Sequence, residues 1–132
     1  MKYHLLNRSK QTVLAREVEL ADTSWTRMRG LLGLKADQFT SGQGLWIVPS
    51  QGVHTVGMSF SIDVLYLDSK RRVIHVCHEL APFRIAALKL RARSVIELPA
   101  GTLAKTRTSV GDELELNEIA TEGGAACVTA QV

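Results

Sequence analysis

Four residues in this chain carry side chains suited to proton transfer or ligand capture: His54, Met58, Asp63 and Glu97. Three of them fall in one stretch, His54-Thr-Val-Gly-Met58-Ser-Phe-Ser-Ile-Asp63, which runs into the apolar segment Val64-Leu-Tyr-Leu67. A histidine titrates near neutrality, so His54 can serve as a general base or a ligand. It can equally hydrogen-bond to backbone and stiffen the approach to the strand. Met58 fills core space or offers a thioether to a ligand. A carboxylate in an apolar run is costly to bury unless it is paired or hydrogen-bonded. Asp63 therefore needs a partner, and Arg29, His54 and nearby backbone amides are the candidates. An Arg29–Asp63 pair locking a helix to the sheet is the leading expectation. Glu97 sits in Val95-Ile-Glu-Leu98 and faces away from Ile96 and Leu98. If that face is inward, Glu97 joins Asp63 and His54 in one polar cluster, which would be enough for general acid–base work.

The elements that must hold these residues are mostly strands. Residues 2–7 and 13–20 form an opening hairpin around the polar turn Arg8-Ser-Lys-Gln11. Asp22-Thr23-Ser24 supplies capping oxygens for a helix that begins near Trp25 and stops at Gly33. Trp25, Met28 and Leu32 share one face of it. Gly30 inside that helix costs about 1 kcal/mol relative to alanine, which suggests that another backbone approaches closely. Residues 35–44 are polar loop, and 45–48 are a short strand closed by Pro49-Ser-Gln-Gly52. Residues 62–67 and 72–77 flank the turn Asp68-Ser-Lys-Arg71. Val64 and Tyr66 point to one side of that strand and Asp63, Leu65 and Leu67 to the other, so it is central and covered on both faces. Residues 81–93 fit neither period cleanly and are read as irregular or weakly helical. A strand at 94–98, one helical turn at 102–107 and a strand at 113–116 follow. The fold class is α+β: an antiparallel, partly closed, barrel-like sheet with one helix packed on it and a short late turn. One domain spans 1–116, and 117–132 is expected to be a flexible tail.

Bulk properties exclude several classes. The chain has 132 residues, 45% apolar and 22% charged, the balance of an ordinary globular domain. No window approaches the roughly 18 apolar residues of a membrane span, and residues 1–8 lack a secretory apolar core. A cytoplasmic monomer with no membrane partner is expected. Cys77 and Cys127 lie in no metal spacing, and His75-x-x-His78 on a strand would point to opposite faces. No metal or cofactor is expected, and no disulfide. The net charge of +3 hides a split: from Lys70 to Arg107 there are nine bases and two acids, and after Arg107 five acids and no base. Such a span can bind phosphate or nucleic acid, but no aromatic residue lies among its bases from Lys89 onward, which disfavours a nucleic-acid surface.

Four segments resemble one known family. They are Arg27-Met-Arg-Gly-Leu-Leu32, the stretch from His54 through Asp63 to Asp68, Val95-Ile-Glu-Leu-Pro-Ala-Gly101, and Val110-Gly-Asp112. In that order, over residues 10–116, they are similar to the domain of unknown function 192 family. The resemblance implies a compact β-rich α+β domain and brings no assigned activity. This chain has Leu32 where methionine is usual and Gly57 where a tryptophan is frequent, so a pocket lined by that ring would be altered. No nucleophile elbow, phosphate loop, zinc spacing or dinucleotide turn accompanies the polar residues. The expected function is a non-catalytic module that binds a small molecule or a protein through Trp25, Arg29, His54, Met58, Asp63 and Glu97. An enzyme built on His54, Asp63 and Glu97 is the alternative, and phosphate or nucleic-acid binding by residues 70–107 comes third.

Overall fold

The computed structural model of the chain describes residues 1–120, the side chains of Trp25, Met28 and Arg29 excepted. Apolar residues at alternate positions between polar turns give seven strands: β1 (Lys2–Asn7), β2 (Thr12–Ala21), β3 (Gln43–Ile47), β4 (Ile62–Leu67), β5 (Val73–Leu80), β6 (Ser94–Pro99) and β7 (Leu114–Glu118). They form one curled sheet in the order β5-β4-β6-β3-β2-β1-β7. The two expected hairpins are present, β1–β2 and β4–β5, both antiparallel. The expectation of an all-antiparallel sheet is corrected, because β2 and β3 pair in parallel, Glu17 opposite Gln43 through Ala21 opposite Ile47. A parallel pair needs a long crossover, and residues 22–42 supply it.

That crossover carries α1 (Ser24–Arg29). Thr23 caps it as the sequence suggests: the Thr26 amide donates to Thr23 Oγ1 and the Thr23 amide to Thr26 Oγ1, each at 3.0 Å. The expected helix packed on the sheet is not supported, since α1 is only six residues long. It ends at Gly30, not Gly33, with φ of 49°. A Cβ there would come no nearer than 3.9 Å to the Arg27 carbonyl. The glycine answers a left-handed backbone turn, then, and not the close approach expected of it.

Both faces of the sheet are dry. One apolar cluster draws on all seven strands, with Leu5, Val18, Trp46, Leu65, Ile96 and Leu116 among its members, and fills the inside of the curl. The outer face carries Leu45, Ile47, Val64, Tyr66 and Val95, and is covered by loop residues including Leu31, Phe39, Met58 and Ala86. This accounts for β4 being buried along its whole length. The sheet closes at one end, where β5 meets β7: the Val73 amide donates to the Asp112 carbonyl at 2.8 Å and the Leu114 amide to the Arg71 carbonyl at 2.9 Å. Beside that seam, buried Asn7 and the Lys10 ammonium both donate to Asp112 Oδ2 at 2.9 Å. Burial alone would raise the Asp112 pKa, but bonds from Asn7, the Ser109 amide and Lys10 outweigh it and hold the carboxyl below its ordinary value.

Residues 81–93 are irregular, apart from an isolated bridge between Ile85 and His54. The turn expected near 102–107 is α2 (Thr102–Lys105). Cys77 is a free, half-buried thiol. The tail expected from 117, and Cys127 with it, lies from residue 121 onward outside the described residues.

Candidate functional site

Asp63 and Glu97 are both buried, at 0% and 3% exposure, yet they lie on opposite faces of the sheet. Glu97 is registered between Val64 of β4 and Leu45 of β3, so it shares their outer face. Asp63 precedes Val64 and so points inward, opposite Leu98. The single cluster of His54, Asp63 and Glu97 does not form, because strand alternation parts the two carboxyls. The acid–base alternative loses its carboxylate pair with it.

Asp63 is answered by backbone. The Glu79 amide donates to Oδ1 and the Leu103 amide to Oδ2, each at 2.8 Å. One carboxylate thereby ties β4 to the end of β5, where Glu79 has φ of 50°, and to the first turn of α2. Of the three kinds of partner the sequence offers Asp63, the amides are the ones seen. The Arg29 side chain, like that of Trp25, lies outside the described residues.

Glu97 meets no such partner at Oε1, which is buried without a hydrogen bond among the described residues. Burial pushes its pKa up to about 8, so the carboxyl is mostly protonated at neutral pH. The side chain lines a cavity of about 170 Å³ under the α1 crossover, with Arg27, Leu31, Ile47, His54 and Met58 also on its walls. The site therefore unites three of the expected residues, His54, Met58 and Glu97. Met58 is buried and turns into place through its amide, which donates to the Thr55 carbonyl at 3.0 Å. His54 is exposed, and its ring makes no hydrogen bond among the described residues, so the expected backbone-held imidazole is not seen.

Arg27 was missed by the pattern that set it away from the helix's apolar face. Its Nη1 donates to the carbonyls of Asp22 at 3.2 Å and Val48 at 3.4 Å, which lays the side chain along the cavity. Ser50 also lines the cavity, but its hydroxyl donates to the Gly52 carbonyl at 2.8 Å. No sequence signal marks either residue as a neighbour of Glu97, since the loop after β3 brings residues 49–52 there. Of the basic span, Lys70, Arg72, Arg91 and Arg93 share one polar hollow.

A family model matches residues 5–116, that of DUF192, described as an uncharacterized ACR. The chain belongs to the DUF192 family. UPF0127 proteins of Thermococcus sibiricus and Pyrococcus horikoshii are 32% and 34% identical to it over 116 residues. Each alignment covers 84% of this chain, with 73% of the first relative and 96% of the second. A crystal structure of a Novosphingobium aromaticivorans protein of unknown function superposes with a TM-score of 0.73 at 21% identity, over 87% of this chain and 84% of that one. A Sinorhizobium meliloti protein described as a proposed transcription regulator gives a TM-score of 0.72 at 23% identity, over 87% of this chain and 92% of that one. Those two likenesses concern the fold alone. Within DUF192, this chain's Gly57 adopts φ of +88°, and a Cβ there would stand 3.1 Å from Leu32 Cδ2. A ring at position 57 is therefore disfavoured by the backbone, while the tip of exposed Leu32 can move to make room for it.

Proposed function

We propose that this DUF192 domain is a non-catalytic binding module for a compact molecule of mixed apolar and polar character with one hydrogen-bond donor, seated over Glu97. The unpartnered Oε1 of Glu97, buried at the wall of a cavity, carries the reading. A buried acceptor left unsatisfied costs about 1–3 kcal/mol, and a donor arriving with a ligand would recover that. An engineered apolar cavity of about 150 Å³ holds benzene, so about 170 Å³ suits a molecule of similar size. A mostly protonated carboxyl suits a neutral donor such as an amide, and an ammonium would bind by displacing its proton. An anion would gain only the carboxyl's own O–H, since the Arg27 guanidinium on the same wall is turned to the Asp22 and Val48 carbonyls. Ser50's hydroxyl is already engaged by the Gly52 carbonyl and the His54 ring bonds to neither residue, so no nucleophile–base pair is aligned at the cavity among the described residues.

The test uses butyramide, n-butylamine and butyrate as probes in a thermal-shift and amide-NMR titration. Butyramide and n-butylamine should raise the melting temperature and move the Gly52, His54 and Met58 amides, while butyrate should not. Saturation at a hundredfold the dissociation constant would add about 2.7 kcal/mol. Glu97→Gln should weaken n-butylamine, which needs the carboxylate, and Glu97→Leu should weaken both donors. The reading fails if no probe binds, or if butyrate binds as well as butyramide.

A further inference from the structure

Residues 81–93 present four large apolar side chains to solvent: Phe83 at 65% exposure, Ile85 at 81%, Leu88 at 68% and Leu90 at 76%. The segment is stapled in place. The amides of Phe83, Ala86 and Lys89 donate to the carbonyls of Thr55, Val53 and Gln51, each at 2.9 Å. From beneath, the Tyr66 hydroxyl donates to the Ala87 carbonyl at 2.6 Å. The exposure is thus fixed by the fold, and exposed apolar side chains this dense along one segment, Ile85 and Leu88 sharing a groove, suit an interaction surface. Bases alternate with the apolar residues, Arg84, Lys89, Arg91 and Arg93, and there is no acid between Ala81 and Arg93.

Two hollows flank this ridge and adjoin at Gln51, which lines both. One is an open apolar groove of about 700 Å³ walled by Val53, Val56, Ile85 and Leu88. The other, about 790 Å³, holds Lys70, Arg72, Arg91 and Arg93 with one acid, Asp68. Asp68 Oδ1 is occupied by the amides of Lys70 and Arg72 at 2.9 Å, and Arg72 has a loose, exposed pair with Glu113 at 3.6 Å. Positive charge dominates the hollow.

We propose that this ridge docks on an anionic lipid surface. Phe83, Ile85, Leu88 and Leu90 enter the boundary between headgroups and acyl chains, and lipid phosphates meet Arg91, Arg93 and the hollow behind them. Charge favours lipid as the occupant: the segment pairs its apolar side chains with four bases and no acid, and apolar burial combined with attraction to anionic headgroups is how a surface segment holds a membrane. A second copy is disfavoured, since a two-fold contact would set the same four bases against each other. The sequence led to an expectation of no membrane partner from the lack of a span. No helix among the described residues is long and apolar enough to cross a membrane, but docking on the surface needs none.

The full chain is sedimented with vesicles of pure phosphatidylcholine and with vesicles holding about one third phosphatidylglycerol, at low and high salt. It should pellet with the anionic vesicles at low salt, fail to pellet with the neutral ones, and be released by salt. Arg91→Gln with Arg93→Gln should weaken binding by about 30-fold, at roughly 1 kcal/mol per base. Ile85→Ser with Leu88→Ser should weaken it at least as much, and both pairs are exposed, so melting temperatures should hold. Equal binding to neutral vesicles, or none to anionic ones, overturns the proposal. So does displacement by inorganic phosphate at matched ionic strength, which would make the hollow a site for free phosphate. Binding to poly-glutamate without binding to vesicles would point to an acidic protein, and concentration-dependent dimers lost in Ile85→Ser would point to a second copy.

Discussion

Asp63 and Glu97 are two carboxyls buried in one sheet, on neighbouring strands, with opposite solutions to the same problem. Asp63 faces the inside of the curl and spends each oxygen on a backbone amide. Glu97 faces outward into a cavity, and its Oε1 has no partner among the described residues. A buried acid with complete partners is part of the scaffold, and one with a bare oxygen is the place where the proposed ligand would make its bond. The pair teaches that burial alone does not mark a site. Nor does a bare polar atom by itself, since Trp46 Nε1 also lacks a partner among the described residues and lies in the inner core. What sets Glu97 apart is that its bare oxygen also lines a cavity.

The widest separation between the two should appear in pH dependence. Native Glu97 keeps its proton up to about 8, while the unfolded chain releases it near 4.5. The native state therefore binds more protons between those values, and stability falls as pH rises through that window, then levels off. The loss attributable to this group is on the order of 4 kcal/mol. Urea unfolding of wild type and Glu97→Gln at both ends of the window should show the variant losing much less. Equal slopes would mean that Glu97 is not held neutral. Asp63→Asn puts an amide where two acceptors are needed and should cost about 3 kcal/mol in the same assay. A loss under 1 kcal/mol would make the clamp dispensable. Tyr66→Phe removes the bond to Ala87 and should cost about 1 kcal/mol, with faster exchange of the Ala86 and Lys89 amides. His54→Ala should change stability by less than about 0.5 kcal/mol and yet weaken butyramide at the cavity. Strong destabilisation instead would move His54 into the scaffold with Asp63.

Much of the fold was legible because its signals are local. The turns Arg8-Ser-Lys-Gln11 and Asp68-Ser-Lys-Arg71 break runs of period two, and both hairpins formed where those breaks fall. The parallel pairing of β2 with β3 left no such trace, since it depends on how far the crossover carries the chain. The burial of Asp63 could be read from its neighbours. Its partners could not be singled out, because they are backbone amides 16 and 40 residues away, which any sequence supplies. For Glu97, alternation set it opposite Ile96 and Leu98 but could not tell inside from outside, because both faces of this sheet are covered. The periodicity of 81–93 was mixed for a related reason. Its conformation is set by residues 51–55 and Tyr66, not by its own side chains.

A barrel that closes at one end keeps two strand edges along most of its length. Among the named strands, β5 pairs only with β4, and β7 only with β1. Free edges invite a strand from another molecule, and proteins deter this with charge and distortion. Here β5 carries His75, His78 and Glu79 and twists out of line at Glu79, where φ is 50°. The β7 edge carries Glu115 and Glu118. Arg71 Nη1 also donates to the Leu116 carbonyl of β7 at 3.4 Å, so acid, by neutralising the two carboxylates, weakens that second guard without removing it. Intermolecular strand pairing, and with it the loss of soluble protein on storage, should begin at the β7 edge when pH falls.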